Sequence, residues 1–197
     1  MKRYFLLTML ALLLTGCSVV ENNREFPDNI SFSPIVCQYT TTPAEGTVID
    51  YTSSNIIVYD NNTVEIFCGD FHDTIDADTD ISIDYIYGET FEITEEQKQS
   101  VISAIRENNI AYFFVCGDES SSDGSYSYIL LFNSESETVH SCGGLNPYTD
   151  EYETVRSAIF SVLPENAFRS VSQKADEELI AYLLENYPDK YSWLENR

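Results

Sequence analysis

Residues 56–69 and 129–143 run through the same order: an apolar run, a polar turn containing asparagine, a second run, then Cys-Gly. Around Asp60-Asn61-Asn62 this is a hairpin signal, because Ile and Val pack well on a pleated surface and Asn tolerates the backbone of a tight turn. Residues 126–132 and 138–142 predict a second hairpin. Ile81, Ile83, Tyr85 and Tyr87 alternate with Ser82, Asp84 and Ile86, the period of a half-buried strand, and Phe91 and Ile93 extend it. A short apolar stretch precedes all of these at 34–40, and Tyr112, Phe113, Phe114 and Val115 predict a buried strand over 111–116. The shared order reads either as a degenerate two-fold repeat of strand, strand, helix or as what two hairpins ordinarily look like.

A sheet that buries one face needs a cover, and three amphipathic stretches supply it. Thr94-Glu95-Glu96-Gln97 is a capping box that starts a helix over 94–108. Val101, Ile102 and Ile105 share one face of it, Glu95 and Glu96 suit its positive end, Arg106 suits the other, and Asn108-Asn109 offers a left-handed stop. A second helix starts at Thr149 or Asp150, carries Tyr152, Val155, Ile159, Val162 and Leu163 at helical spacing, and ends at Pro164. A third is predicted over 172–186, with Pro188 as its stop and a tail beyond. The expected class is α+β: an antiparallel sheet built from two hairpins with two to three helices packed on one face.

At the start of the chain, Lys2 and Arg3 precede an unbroken apolar run over 4–14, too short to span a bilayer, and then Leu14-Thr15-Gly16-Cys17. These residues resemble the signal and lipobox of bacterial lipoproteins. The resemblance implies a diacylglyceryl thioether on Cys17, cleavage before it, and a protein anchored in the cell membrane facing outside the cytoplasm. Two or three acyl chains are what make such anchoring durable, since one chain binds only marginally. The expected organisation is a signal peptide at 1–16, a lipidated cysteine and tether at 17–33, and a single domain at 34–197. The block 121–147 resembles a domain of uncharacterised lipoproteins of Gram-positive bacteria, a likeness spanning about residues 55–163 that implies no activity.

Loss of Lys2 and Arg3 with the signal takes the formal net charge from −23 to −25. Such a field repels nucleic acid and anionic headgroups, leaving cations and basic partners. Fourteen Tyr and eleven Phe point to a packed domain rather than a disordered acidic chain. Cys37, Cys68, Cys116 and Cys142 allow two disulfides outside the cytoplasm, with Cys116–Cys142 and Cys37–Cys68 expected; buried thiols are the alternative.

Among chemical constellations, Asp76, Asp78, Asp80 and Asp84 match carboxylate positions of a calcium loop, but Ile81 stands where the turn needs Gly and Tyr87 where a bidentate Glu is needed. His72 and His140, with Asp70 or Asp73, could form a carboxylate and imidazole pair, but no Gly-x-Ser-x-Gly elbow frames Ser120–125 and no evident base serves those hydroxyls. Tyr182, Tyr187, Tyr191 and Trp193 near the C-terminus either stack on a partner or close the core. The resulting expectation is a non-enzymatic binding or interaction module without a cofactor. A calcium-stabilised domain using Asp76, Asp78 and Asp80 is the first alternative, and an envelope-acting hydrolase the second.

Overall fold

The structure, a computed structural model, describes residues 25–43, 53–73, 81–112 and 124–196. Its strands are β1 (Ile35–Pro43), β2 (Ser53–Tyr59), β3 (Thr63–Asp73), β4 (Ile81–Glu92), β5 (Ser125–Phe132) and β6 (Thr138–Leu145). They form one open antiparallel sheet in the order β4-β3-β2-β1-β5-β6. Both expected hairpins are present, and β1 joins them by pairing with β2 on one side and β5 on the other. Asparagine makes each turn. Asn61 Oδ1 accepts from the Thr63 N–H and hydroxyl while Asn62 takes a φ of 66°, and Asn133 Oδ1 accepts from the N–H groups of Glu135 and Glu137.

Cross-strand neighbours place three rows on one face of the sheet. Phe91, Val64, Val58 and Cys37 form the first, Ile66, Ile56, Tyr39, Ile129 and Cys142 the second, and Cys68, Ser54, Thr41, Ser127 and Gly144 the third. The first two rows are apolar and join the core. The third is mostly polar and lies toward the end of the sheet where β1 finishes and β5 begins.

Helices α1 (Glu95–Glu107), α2 (Asp150–Ser161) and α3 (Ala167–Asn186) cover the two apolar rows. The capping box of α1 forms as expected: Gln97 N–H donates to Thr94 Oγ1 at 3.2 Å, and Thr94 N–H to Gln97 Oε1 at 2.8 Å. Lys98, buried, donates to the Asp60 carbonyl and so holds the start of α1 on the β2–β3 turn. Helix α1 buries Val101, Ile102 and Ile105, and Asn109 at φ 53° ends it. Thr149 caps α2, which buries Tyr152, Val155 and Ile159.

Several expectations need correction. Ala111 and Tyr112 lie in a 3₁₀ turn (Ile110–Tyr112) rather than a strand, because Asn109 reverses the chain and the Ile110 and Ala111 side chains are drawn into the core; residues 113–116 fall outside those described. Helix α3 starts five residues before 172. Its first turn carries no acidic residue and no side-chain cap, so nothing in the sequence marked it, and Asn166 enters it through a left-handed φ of 62°. Pro188 ends α3 but also opens a short helix α4 (Pro188–Tyr191), the first helical position being one where its missing N–H costs nothing. The tail folds back, burying Tyr191 and Leu194 against Leu179 and Leu183.

Residues 25–33 are packed onto the domain. Phe26, Ile30 and Phe32 lie against the core, Ser31 N–H bonds the Phe132 carbonyl at 2.7 Å, and the Arg106 guanidinium stands over both phenylalanine rings. The Cys37–Cys68 disulfide is not formed, and both are buried free thiols. Cys37 is level with Val64, four residues along β3 from Cys68, and β2 lies between. The two Cα atoms therefore stand roughly 16 Å apart, well beyond the reach of about 7 Å that a disulfide allows.

Candidate functional site

The polar third row opens into a cleft of about 520 Å³ between the sheet and the helices α2 and α3. Its floor is hydroxylic. Tyr39 Oη donates to Ser127 Oγ at 3.3 Å, and Ser127 Oγ donates to Thr41 Oγ1 at 3.0 Å. Both Tyr39 and Ser127 are buried, whereas Thr41 at the end of the relay is half-buried.

One rim is the turn after β6. Asn146, at φ 46°, accepts from the Ser125 N–H through its side chain at 3.1 Å and donates its own N–H to the Ser125 carbonyl at 2.9 Å. Gly143 lets the two strands come together here: at its φ of 157°, a Cβ would stand 2.0 Å from the Ser127 carbonyl oxygen. Pro147 then sets the chain on course for the Thr149 cap of α2.

The opposite wall is aromatic and, among the described residues, carries one cation. Phe160 meets Tyr39 edge-on at 5.3 Å and Phe168 at 5.2 Å between ring centroids. The Arg156 guanidinium lies 5.2 Å from the Phe160 ring centre and 6.0 Å from that of Tyr39, and its Nη1 donates to Glu153 Oε2 at 3.0 Å. Burial works against its charge, but the Tyr39 oxygen and Glu153 outweigh it and hold the Arg156 pKa above its ordinary value. Its Nε–H is buried without an acceptor among the described residues. A guanidinium braced on ring faces and aligned by a carboxylate is a preorganised donor, because little of its side-chain freedom remains to be lost when a ligand arrives.

Cys17, Asp76, Asp78, Asp80 and Cys116 lie outside the described residues. The ladder of β3 and β4 closes at Asp73 and Ile81, at the cleft end of the sheet. Among the described residues no group of three or more His, Cys, Asp or Glu is placed to hold a metal ion. His72 and His140 sit on β3 and β6, four strand spacings or roughly 19 Å apart across the sheet, and do not meet. His140 is buried, with Nε2 at 2.9 Å from the Ile110 carbonyl oxygen, where it braces the 3₁₀ turn. Of the C-terminal aromatics Tyr191 is core, while Tyr182 and Trp193 are nearly half exposed.

Sequence reasoning did not find the cleft. Arg156 falls on α2 beside the apolar stripe, and its value comes from Tyr39, distant in the chain. The visible signals were hydroxyls at alternate positions, Ser125 and Ser127, beside a Thr run at 40–42.

Residues 1–18 match the prokaryotic membrane lipoprotein lipid attachment site. The chain is thus lipid-anchored to a membrane through its N-terminal segment. No curated protein matches it at a significant level. Among the described residues no helix is long and apolar enough to cross a membrane.

Proposed function

We propose that this lipoprotein is a non-enzymatic binding module, held through Cys17 at the outer face of the membrane, that captures a small ligand in the cleft between β1, β5 and α2. The observation that carries this reading is Arg156, fixed between Glu153 and the rings of Tyr39 and Phe160 above a row of hydroxyls. Convergent polar groups on aromatic walls, in a cleft within the range of roughly 300–1,000 Å³ common to ligand sites, are what recognition of a small molecule requires.

The position of the anchor supports the same reading. Ser31 joins Phe132, seven residues along β5 from Ser125, so Ser31 and the cleft rim lie about 23 Å apart along the strand. Attachment at one pole leaves the cleft free at the other.

Ligand-observed NMR of the mature lipidated protein in phosphatidylcholine nanodiscs, against mixed sugars, amino acids and short peptides, tests the reading. Hits are expected that disappear in both Arg156→Ala and Phe160→Ala while the circular dichroism spectrum is kept. Hits unaffected by either substitution, or no hits at all, would contradict it.

A further inference from the structure

We infer that the cleft takes a neutral saccharide; the inference rests on the cleft being a binding site and adds the class of ligand. Charge decides the first half. The full chain carries −23, which opposes the approach of anions, and the one guanidinium that lines the cleft among the described residues is already shared with Glu153 at 3.0 Å. A cation is favoured by the overall field but meets that same guanidinium on the wall. The ligand that loses nothing to either effect is uncharged.

Hydrogen bonding decides the second half. A sugar hydroxyl donates and accepts at once, so its receptor must present both kinds of group side by side. Arg156 and Glu153 do so as one aligned pair, with side chains 39% and 44% exposed. The Ser127–Thr41 relay does so on the floor, since a hydroxyl serves in either role and the relay ends on half-buried Thr41. Ser125 and Asn146 add a hydroxyl and an amide at the rim. Phe168 and Pro147 supply apolar surface for the C–H face of a ring, and the volume of about 520 Å³ is large enough for a short oligosaccharide rather than a polymer chain.

The test is isothermal titration of the mature lipidated protein in nanodiscs, free of sugar-based detergent, with four probes: maltotriose, chitotriose, glucuronate and trialanine. At least one neutral trisaccharide is expected to bind, glucuronate at least tenfold more weakly, and trialanine not detectably. Arg156→Lys should weaken the trisaccharide about tenfold, the effect of one lost charge-assisted hydrogen bond, because an ammonium cannot keep both the ring contact and the fork to Glu153. Glu153→Gln, which keeps an acceptor oxygen, should cost less. Glucuronate binding more tightly than either trisaccharide would overturn the inference and make Arg156 an anion receptor. Trialanine binding without sugar binding would also overturn it while leaving the binding module intact. Silence from all four probes would overturn it, while hits in the mixed screen of sugars, amino acids and short peptides would still leave the binding module standing.

Discussion

Cys37 shows how far burial alone shapes a residue here. The thiol stands in the first apolar row with no exposed surface, and desolvation of its thiolate pushes the pKa from 9.0 to about 12. Above pH 9 the unfolded chain releases this proton while the folded chain keeps it, so the folded state is progressively disfavoured between pH 9 and 12. The loss in that window approaches about 1.4 kcal/mol per pH unit. Tyr59 adds to it from pH 10 upward, its pKa also raised to about 12 by burial and then by its bond to Glu65, although its partial exposure makes the contribution smaller. Urea midpoints measured from pH 8 to 11 should therefore fall steeply for the native chain and more gently for Cys37→Val. Parallel slopes for the two proteins would show that this thiol is not the group responsible. Arg156 is held by contacts rather than by burial, its cleft position depending on two ring faces and one carboxylate.

Among the elements, α1 and the C-terminal tail owe their stability to different physics, which mutation separates. Thr94→Ala removes one cap bond and leaves the Gln97 arm in place, a loss of about 1 kcal/mol. Tyr191→Ala empties the centre of the cluster formed with Leu179, Leu183 and Leu194, and should cost about 3–5 kcal/mol in chemical denaturation without weakening ligand at the cleft. A tail that were a mere cover would give the smaller number. The same contrast explains what could be read in advance. Hairpins and the capping box are local: Asn62, Asn133, Thr94 and Gln97 act on neighbours a few residues away, so their signals are contiguous in the chain. The start of α3 and the fate of the tail are decided by distant partners, and no cap at Asn166 announces the helix. The packing of Phe26 and Phe32 under Arg106 is likewise invisible in a stretch whose composition resembles a tether. The cleft is the extreme case, since it joins β1, β5, the turn after β6, α2 and α3.

At the scale of the whole molecule, the proposed function puts attachment and recognition at opposite ends of the sheet. The sheet is a slab with the β2–β3 and β5–β6 turns at one end, where Ser31 bonds Phe132 and Ser33 bonds Asp60 at 2.5 Å. The cleft rim at Ser125, Asn146 and Pro147 lies at the other end. Seven residues lie between Cys17 and Glu25, a reach of at most about 28 Å over eight Cα steps. On the proposed reading the lipid on Cys17 keeps the turn end nearer the bilayer, and a strongly acidic surface favours standing clear of anionic headgroups. The lipidated protein in bilayer nanodiscs, spin-labelled at Ser134→Cys in the turn or at Tyr148→Cys beside the cleft, allows the arrangement to be measured with a nickel-chelating lipid as relaxation agent. Ser134 is exposed and Tyr148 is 69% exposed, while Cys37 and Cys68 are buried away from the label. The account predicts strong relaxation at position 134 and weak relaxation at 148, with both lost when Cys17→Ala releases the chain. Stronger relaxation at 148 than at 134 would place the cleft against the membrane and contradict it.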